Sequence, residues 1–497
     1  MRTPHPESAA AACSRFRQPQ RHTEAGSKPG SAIRGLRHRV FSVLVLVLWL
    51  SPALPAQPRQ NSPSATAEDT GDAPYQIARA LTAFLSEPAP NRESLETLRK
   101  HWDLSLAPLL LEPLRLMRPD DRRARALWTL LERQTRQSIE REPLTWFKWL
   151  WGQQYTMFPG YPDFKAIVYQ QVDPRFHWWF YPGMPHTIRL DEIVWGGVTV
   201  DGIPPLEHAA VIAAEEATYL GGKNIVFGVF LHGEARAYPK RILAWHEMAN
   251  DTVGGKDITL AYCTLCGSAI LYEQQIGDRK FDFGTSGFLY RSNKLMYDRP
   301  TRSLWSTLEG IPVTGRLVGS GLQLTRLPIV TTTWDAWRTA HPKTTVLSLE
   351  TGHKRDYGEG AAYRDYFATQ ELMFPVPSDD KRLKNKQEVL ALLLEGEAVA
   401  FDTSFLSKRN LHHETVGGKS LVILTDSSGA NRVYEATDVT FSRWDRKATL
   451  QDGSGQTWEI SEDALIGPSG QRRPRIPAHR AFWFGWHAQF PKTRLVR

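Results

Sequence analysis

Two cysteines lie close together in the stretch AYCTLCGSAILYE, which runs from Ala261 to Glu273. Cys263 and Cys266 could form a redox couple, supply half of a metal site or form a short-loop disulfide. Cys13 is the only other cysteine in the 497-residue sequence. In a chain with so few cysteines elsewhere, two that lie this close together are expected to act together at one site.

A metal site at these thiols requires further ligands from elsewhere in the chain. A closed zinc site needs four ligands, and copper is commonly held by two thiolates with His or Met. Two cysteines cannot supply a four-thiolate set. The predicted metal site therefore comprises Cys263, Cys266, His246 and His341, with copper or zinc as the candidate ion.

A redox site requires a thiol with a lowered pKa, which a helix beginning after the first cysteine commonly supplies. Here Gly267 and Ser268 precede the apolar residues AILY, a pattern that predicts a turn into a strand. Three functions stay open: a metal- or thiol-binding module, a thiol–disulfide oxidoreductase, and a non-catalytic structural or interaction protein with a passive disulfide. The residues alone do not decide whether the chain is an enzyme.

A second group of candidate residues follows in the stretch FGTSGFLYRSNK, residues 283–294. Arg291, Asn293 and Lys294 stand beside Tyr290 in it. An arginine can bind an anion through two parallel hydrogen bonds, and a tyrosine ring can stack on a sugar. The predicted ligand site comprises these four residues, and a hydrogen-bonded turn with a solvated rim is the alternative.

The elements that must position these residues are short strands and turns. Residues 75–155 place Leu, Ala and Trp at three- and four-residue spacing, which predicts helices. A helix start is expected at Pro119-Asp120-Asp121. From about residue 160 the apolar runs shorten to strand length and glycines punctuate them. The fold class predicted is α+β and β-rich, with a helical N-terminal region before the strands.

An internal repeat divides the β-rich part. The sequence GEARAY at 233–238 recurs as GEAVAF at 396–401, and a Trp-containing block ending in Pro-Lys-Thr, residues 334–344, recurs at 483–493. The Asp298–Trp305 block has an echo at Asp452–Trp458, so we assign its Asp and Trp to the fold. The predicted domains are a leader (1–56), a flexible linker (57–72), a helical region (73–159), an aromatic-rich entry (160–224), repeat copy 1 (225–350), a connector (351–389) and repeat copy 2 (390–497).

The second copy acts as an internal control for the first. It lacks both cysteines, and Asp426 falls near the position of Cys263. A disulfide essential to the fold should occur twice, so the thiols are expected to serve a task of copy 1. His246-Glu247 could be a ligand or general base with its orienting partner, but its apparent recurrence as His413-Glu414 favours a structural pair.

Charge and the N-terminus indicate the compartment. Residues 1–40 hold eight basic and two acidic residues, and the rest of the chain holds 53 basic and 51 acidic residues, so the net charge of +8 is concentrated in the leader. Nucleic-acid binding is therefore not predicted. Arg37 and Arg39 precede the apolar run 40–50 and then SPALPAQ, a pattern typical of a secretory signal. We expect an exported protein that is periplasmic or extracellular. It is either cleaved near Ala56 or anchored in the inner membrane through residues 40–50. A partner protein or glycan is left open.

Four long motifs carry a resemblance to a known family. They are WHEMANDTVGG (245–255), YCTLCGSA (262–269), FGTSGFLYRSNKLMYDRPTRSLW (283–305) and HPKTTVLSLETG (341–352). Together they resemble the domain-of-unknown-function 3179 family, over the region from about residue 188 to the C-terminus. The resemblance implies an exported bacterial-type protein and implies no activity or catalytic residue.

Overall fold

A computed structural model describes residues 73–446 and 448–497 of the chain. Two compact units divide at Pro182 and Gly183. The first is helical and the second is dominated by strands, which confirms the predicted α+β, β-rich class. No helix in the described ranges is long and apolar enough to cross a bilayer. The predicted signal or anchor, and the predicted linker, lie outside the described residues.

The first unit consists of α-helices and one short 3-10 helix at Pro174–Trp178. Asp121 caps one helix by accepting a hydrogen bond from the backbone N–H of Arg123 at 2.8 Å, which confirms the predicted start there. The last helix lies beyond residue 159, inside the segment predicted as an aromatic-rich entry. The helices are α1 Ala73–Ser86, α2 Arg92–Lys100, α3 Leu106–Leu114, α4 Arg122–Thr135, α5 Pro143–Trp151 and α6 Tyr161–Gln170.

The described residues of the second unit contain the strands, five short α-helices and two 3-10 helices, Leu190–Glu192 and Ala214–Glu216. From residue 193 to 347 the elements are β1 Ile193–Trp195, β2 Leu206–Glu207, β3 Val211–Ala213, β4 Ile225–Leu231, β5 Glu234–Pro239, α7 Lys240–His246, β6 Met248–Val253, β7 Lys256–Cys263, β8 Ser268–Glu273, β9 Gln275–Ile276, β10 Arg279–Lys280, β11 Phe283–Tyr290, β12 Asn293–Asp298, β13 Leu304–Ser306, β14 Pro312–Thr314, β15 Arg326–Leu327, β16 Val330–Thr333, α8 Trp334–Ala340 and β17 Thr345–Leu347. From residue 364 they are α9 Arg364–Ala368, β18 Glu388–Leu394, β19 Glu397–Asp402, α10 Thr403–Ser407, β20 Leu411–Val416, β21 Lys419–Thr425, β22 Asn431–Glu435, β23 Phe441–Trp444, β24 Thr449–Asp452, β25 Thr457–Ile460, β26 Ala464–Ile466, β27 Arg472–Ile476, β28 His479–Phe482, α11 Trp483–Gln489 and β29 Arg494–Val496.

These strands form six sheets. Three five-stranded sheets precede residue 348, in the orders β1-β11-β12-β13-β14, β15-β8-β7-β6-β2 and β16-β4-β5-β17-β3. Two later sheets have the orders β28-β18-β19-β29 and β20-β21-β22-β27-β26-β25-β24-β23, and β9 with β10 forms a small ribbon. Apolar side chains of β4–β8 form one large core cluster and those of β18–β22 form another.

The two halves of this unit share an order of elements. The series β4, β5, α7, β6, β7, β8 matches β18, β19, α10, β20, β21, β22, and β16, α8, β17 matches β28, α11, β29. Strand β16 pairs antiparallel with β4, and β28 pairs antiparallel with β18. Strand β17 pairs parallel with β5, and β29 pairs parallel with β19. This correspondence supports the repeat, which as a duplication stays a prediction.

The Asp and Trp assigned to the fold make equivalent contacts in both halves. Trp305 donates from its indole Nε1 to Oδ2 of Asp298 at 2.9 Å, and Trp458 donates to Oδ2 of Asp452 at the same distance. Each indole ring is buried, so the carboxylate satisfies an N–H that would otherwise lose its hydrogen bond with water.

The register of the hairpins corrects one predicted correspondence. Hairpins β6–β7 and β20–β21 both turn at a Gly-Gly pair, with two paired residues directly flanking it. Counting back from that pair, His413 stands level with Asn250 and not with His246. The predicted recurrence of His246-Glu247 as His413-Glu414 is therefore wrong, because strand register follows the turn and not the likeness of a short motif.

Candidate functional site

The two cysteines lie at one end of the β7–β8 hairpin. Strand β7 ends at Cys263, which pairs with Ser268 at the start of β8, and Cys266 lies in the turn between them. Gly267 completes the turn with a φ of +61°, in the left-handed region that favours glycine. Both thiols are free, and each residue is 1% exposed. The predicted turn into a strand is confirmed.

A second hairpin, β11–β12, brings its turn against the sulfurs. The backbone carbonyl of Ser292 lies 3.2 Å from Sγ of Cys266 and 4.0 Å from Sγ of Cys263. Arg291 and Ser292 form the turn with φ of 49° and 64°, a conformation that usually selects Asn and Gly. Non-glycine residues held in this region are worth examining for function. Here the strained turn directs a carbonyl at both thiols.

Lys294, on strand β12, is buried in the same part of the interior as the two thiols. The residue is 4% exposed, and its Nζ donates a hydrogen bond to the backbone carbonyl of Glu247. Glu247 follows the end of α7 with a φ of 55°, and its carbonyl also accepts from the N–H of Tyr262 at 2.8 Å. The Glu247 residue is 8% exposed. A buried amine and a buried carboxyl group thus lie beside two buried thiols.

The electrostatics distinguish the two sulfurs. Burial and the charge of Glu247 raise the pKa of Cys263, but hydrogen bonds from the Cys266 thiol and from backbone N–H groups of Lys294 and Cys266 outweigh them, so the pKa of Cys263 is lowered. Burial, reinforced by Cys263, raises the pKa of Cys266 well above its ordinary value. Cys263 is therefore the sulfur that this site stabilises as a thiolate.

The other two groups shift toward their neutral forms. Burial lowers the pKa of Lys294, against the charges of Glu247 and Cys263. Burial likewise raises the pKa of Glu247, against the charge of Lys294. Shifts in these directions bring an amine and a carboxyl group closer in proton affinity, which is what proton transfer at neutral pH requires.

A cavity of about 50 Å³ adjoins this group. Glu247, Lys294 and Leu265, the residue just before Cys266, form part of its lining. The remaining lining residues are largely apolar and come from three places: the loop after β1, strands β11 and β12, and the connector. They are Gly196, Val198, Ile203, Thr285, Ser286, Gly287, Phe288, Leu289, Leu295, Tyr363, Met373 and Phe374.

Copy 2 and the connector close the other sides of the thiol turn. The N–H of Phe482 donates to the carbonyl of Cys266 at 2.7 Å, and a Cβ added at Gly485 would lie 2.8 Å from Sγ of Cys266. From the connector, the hydroxyl of Tyr366 donates to the carbonyl of Leu265 at 2.9 Å. Copy 1 therefore carries the thiols and copy 2 supplies one wall.

The histidines of the predicted metal site have other partners. His246 is buried, with Nδ1 2.8 Å from the carbonyl of Pro204 and Nε2 2.6 Å from the hydroxyl of Tyr357. The His341 ring packs against Trp337 at a tilt of 45°, with ring centroids 4.1 Å apart. Within the described ranges no group of three or more His, Cys, Asp or Glu side chains has the arrangement to hold a metal ion. The ligand set of Cys263, Cys266, His246 and His341 stays a prediction.

The predicted ligand site divides into two parts. Asn293 and Lys294 belong to the thiol site, and the Asn293 side chain opposes the raised pKa of Cys266. Arg291 instead pairs through Nε with a carboxylate oxygen of Glu192 at 2.5 Å, and its guanidinium lies 5.0 Å from the ring centroid of Tyr290. An arginine already paired with a buried carboxylate is less available to bind an anion.

Sequence reasoning missed two residues of the site, Gly485 and the role of Glu247. A glycine within the aromatic helix sequence WFGWHAQ was the available signal for Gly485, because glycine is costly inside a helix unless space demands it. Glu247 was considered together with His246, although it lines the cavity beside Lys294. The carbonyl contact with Lys294 could not be found from spacing.

These features define the class: an α+β protein whose β-rich unit buries a free dithiol beside an amine and a carboxyl group. The chain belongs to the family described as "Protein of unknown function (DUF3179)", whose model matches residues 200–493. This confirms the resemblance seen in the sequence motifs. No curated protein and no solved structure matches the chain.

Proposed function

We propose that the second unit is a thiol–disulfide exchange module in which Cys263 attacks and Cys266 resolves. The observation that supports this function best is the meeting of two free thiols with Lys294 and Glu247 at one interior point. A structural pair of cysteines needs neither a buried amine nor a buried carboxyl group, and both cost free energy when they leave water. Such groups are typical of functional sites.

The exchange proceeds in two displacements. The thiolate of Cys263 attacks one sulfur of a substrate disulfide, which breaks the S–S bond, forms a mixed disulfide and releases one substrate thiolate. Cys266 then attacks Sγ of Cys263 and releases the second substrate thiolate. Two electrons pass from the protein dithiol to the substrate, and the two thiol protons end on the two product thiols. A second thiol reductant returns the protein to the dithiol form.

Lys294 and Glu247 have complementary tasks in this scheme. The Lys294 ammonium favours the Cys263 thiolate, since an opposite charge nearby stabilises the ionised form. Glu247 can accept the proton that Cys266 must lose before it attacks, and can return it to a departing thiolate. A metal cation at the sulfurs would instead meet the like charge of Lys294, so the site favours thiol chemistry over a metal centre.

An exported location is part of this proposal. The basic flank at Arg37 and Arg39, followed by the apolar run 40–50, supports it, with cleavage or anchoring of that run in the inner membrane as the two forms. Outside the cytoplasm, disulfides form and persist and are available as substrates. The alternatives of a metal-binding module and of an interaction protein for a protein or glycan partner stay predictions.

Trapping of the mixed disulfide tests the function. With Cys13→Ser as the background, Cys266→Ser should accumulate an adduct on Cys263 when a small disulfide is added, because the resolving thiol is missing. Cys263→Ser should form no adduct and no product thiol. Intact-protein mass spectrometry and release of a chromogenic thiol measure both results.

A redox titration supplies the second criterion. A structural disulfide has a potential below about −300 mV, whereas an exchanging pair lies above that value. A potential below it, or unchanged thiol release by Cys263→Ser, would show that the pair is passive. Conversion of Ser268 to Ala serves as the matched control, because it alters the same turn and spares both sulfurs.

A further inference from the structure

We infer that the substrate of this site is a small, uncharged disulfide with an apolar body, which reaches Cys263 through the cavity beside Glu247 and Lys294. The inference rests on the proposed exchange function and specifies its substrate class. It follows from what closes the thiol turn, from the lining of the cavity, and from the few polar groups left to meet a ligand.

Burial excludes a folded protein as the direct partner. Both cysteines are 1% exposed, and three segments lie against their turn: the β11–β12 hairpin at Ser292, the connector at Tyr366 and copy 2 at Gly485. A disulfide within a protein surface carries its backbone with it and needs an open approach. A small molecule needs only a passage of its own width.

The lining of the cavity varies in exposure, and neither cysteine is part of it. Its nearly buried residues include Leu265, Glu247 and Lys294, which lie beside the thiol turn. Its partly exposed residues are Gly196, Val198, Ile203, Gly287, Tyr363 and Met373, which mark the side toward solvent. Apolar walls with a few convergent polar groups are typical of small-molecule sites, and a methionine adapts to ligands of different shape.

A β-bulge shapes one wall of the cavity. The pairing of β11 with β12 shifts between Thr285 and Leu289, and Gly287 lies in the bulge with a φ of 81°. The N–H of Gly196 donates to the carbonyl of Gly287 at 2.8 Å, and a Cβ at Gly287 would lie 2.5 Å from the carbonyl oxygen of Val198. The bulge thus holds the loop after β1 at the partly exposed side, as bulges beside functional sites often do.

The two buried hydroxyl groups of the lining, those of Ser286 and Thr285, are already satisfied. Ser286 donates to the carbonyl of Leu295 at 2.6 Å, and Thr285 donates to the carbonyl of Ile203 at 2.7 Å. Lys294 uses one of its three donors on the carbonyl of Glu247. A ligand therefore meets largely apolar walls, and the polar side chains of the lining that remain are those of Tyr363 on the partly exposed side and of Lys294 and Glu247 beside the thiol turn. When the disulfide of a ligand lies at the thiol turn, its body lies against the apolar walls, where a permanent charge would lose its hydration.

Methanethiosulfonate reagents of equal reach and different charge test the inference. The thiolate of Cys263 attacks the sulfenyl sulfur, forms a mixed disulfide and expels methanesulfinate, so no other reactant is needed. We expect the neutral 3,3-dimethylbutyl reagent, which has the shape of the trimethylammonioethyl group without its charge, to modify Cys263 at least about tenfold faster than the anionic sulfonatoethyl and cationic trimethylammonioethyl reagents, each rate being normalised to urea-unfolded protein. The full chain with Cys13→Ser is used throughout.

A narrowed entrance provides the structural control. Val198→Phe should slow modification by the neutral reagent at least about fivefold, because the larger ring fills the partly exposed side. Ile167→Phe, at an exposed position in the first unit, should leave the rate unchanged. Thermal unfolding midpoints establish that both variants fold.

The outcomes separate this inference from the function on which it rests. Equal normalised rates for the three reagents, or no effect of Val198→Phe, overturn the substrate class while Cys263 still reacts. Rapid trapping of a protein disulfide by Cys266→Ser has the same consequence. If Cys263 resists every reagent until the protein unfolds, the exchange function itself fails.

Discussion

Sγ of Cys266 lies against Gly485 of helix α11, where an added Cβ would stand only 2.8 Å away. The thiol turn belongs to the first half of the second unit and the helix to its second half, so the site depends on both halves. Glycine at this position leaves room for the sulfur at the expense of helix propensity.

Gly485→Ala is therefore expected to destabilise the protein. Replacing glycine by alanine inside a helix normally stabilises it, but here the new methyl group overpacks the contact with Cys266 and should cost about 1–3 kcal/mol. Urea denaturation measures the free energy of unfolding. Cys266→Gly removes the opposing atoms, so the double variant should recover at least about 1 kcal/mol relative to additivity. Additive losses would show that the two residues do not press on one another.

The alkylation rate of Cys263 should depend on pH with a midpoint below the ordinary thiol value. Hydrogen bonds outweigh burial and lower the pKa of Cys263. The thiolate should accordingly reach half its maximum below about pH 8.5, and the rate should rise with pH up to that point. Iodoacetamide labelling of the Cys13→Ser protein, followed by peptide mass spectrometry, measures it.

Lys294→Met should move that midpoint upward, because removal of the ammonium removes a charge that favours the thiolate. A shift of about one pH unit and a rate about tenfold lower at pH 7 are expected. Lys343→Met, which alters an exposed lysine, is the control. An unchanged midpoint in Lys294→Met would falsify the charge role of Lys294.

Zinc binding should be weak in the native protein and stronger without the lysine. Lys294 lies beside the sulfurs and repels a divalent cation, so its replacement by Met should raise zinc affinity at least about tenfold, or about 1.4 kcal/mol. Competition with a colorimetric chelator measures both dissociation constants. Purification of the native protein with one tightly held zinc per chain would contradict this expectation and favour the predicted metal site.

His246 should make the protein less stable in mild acid. Burial lowers the pKa of His246 to about 4, and the neutral ring fits its surroundings: Nδ1–H donates to Pro204 and Nε2 accepts from the hydroxyl of Tyr357. The unfolded chain binds the proton near pH 6.5, earlier than the folded chain does. Stability should therefore be lost as pH falls from about 6.5 to 4, by at most about 3 kcal/mol.

Urea denaturation across that pH range checks this dependence. His246→Gln should be less stable at pH 7 and should show a shallower decline with acid, since the titrating ring is gone. His177→Gln replaces an exposed ring in the first unit and should retain the native slope. If the free energy of unfolding fell equally with acid in the native protein and in His246→Gln, the acid sensitivity would belong to other groups.

Local chemistry explains why much of the fold was predictable. Asp121 caps its helix where the Pro-Asp-Asp pattern indicated, and the cysteine turn leads into a strand, because caps and turns depend on a few adjacent residues. Asp298 and Trp305 were likewise assigned to the fold from their echo in the second half. The match of His413 with His246 failed because register depends on a turn several residues away.

The candidate site was only partly predictable. Its thiols, Asn293 and Lys294 were identified from residue type and from their lack of a counterpart in copy 2. Arg291 was expected to meet a ligand, but it pairs with Glu192, a residue almost a hundred positions earlier whose approach no local pattern indicates.

The sequence alone determined that helices precede strands, where the hairpins turn and which half carries sulfur, since periodicity and turn residues act over a few positions. Only the tertiary structure decided what surrounds that sulfur. Glu247, Ser292 and Gly485 reach it from three different segments, and their meeting depends on strand register and on the packing of one half against the other. Those depend on many weak contacts summed over distant residues, which no short motif records.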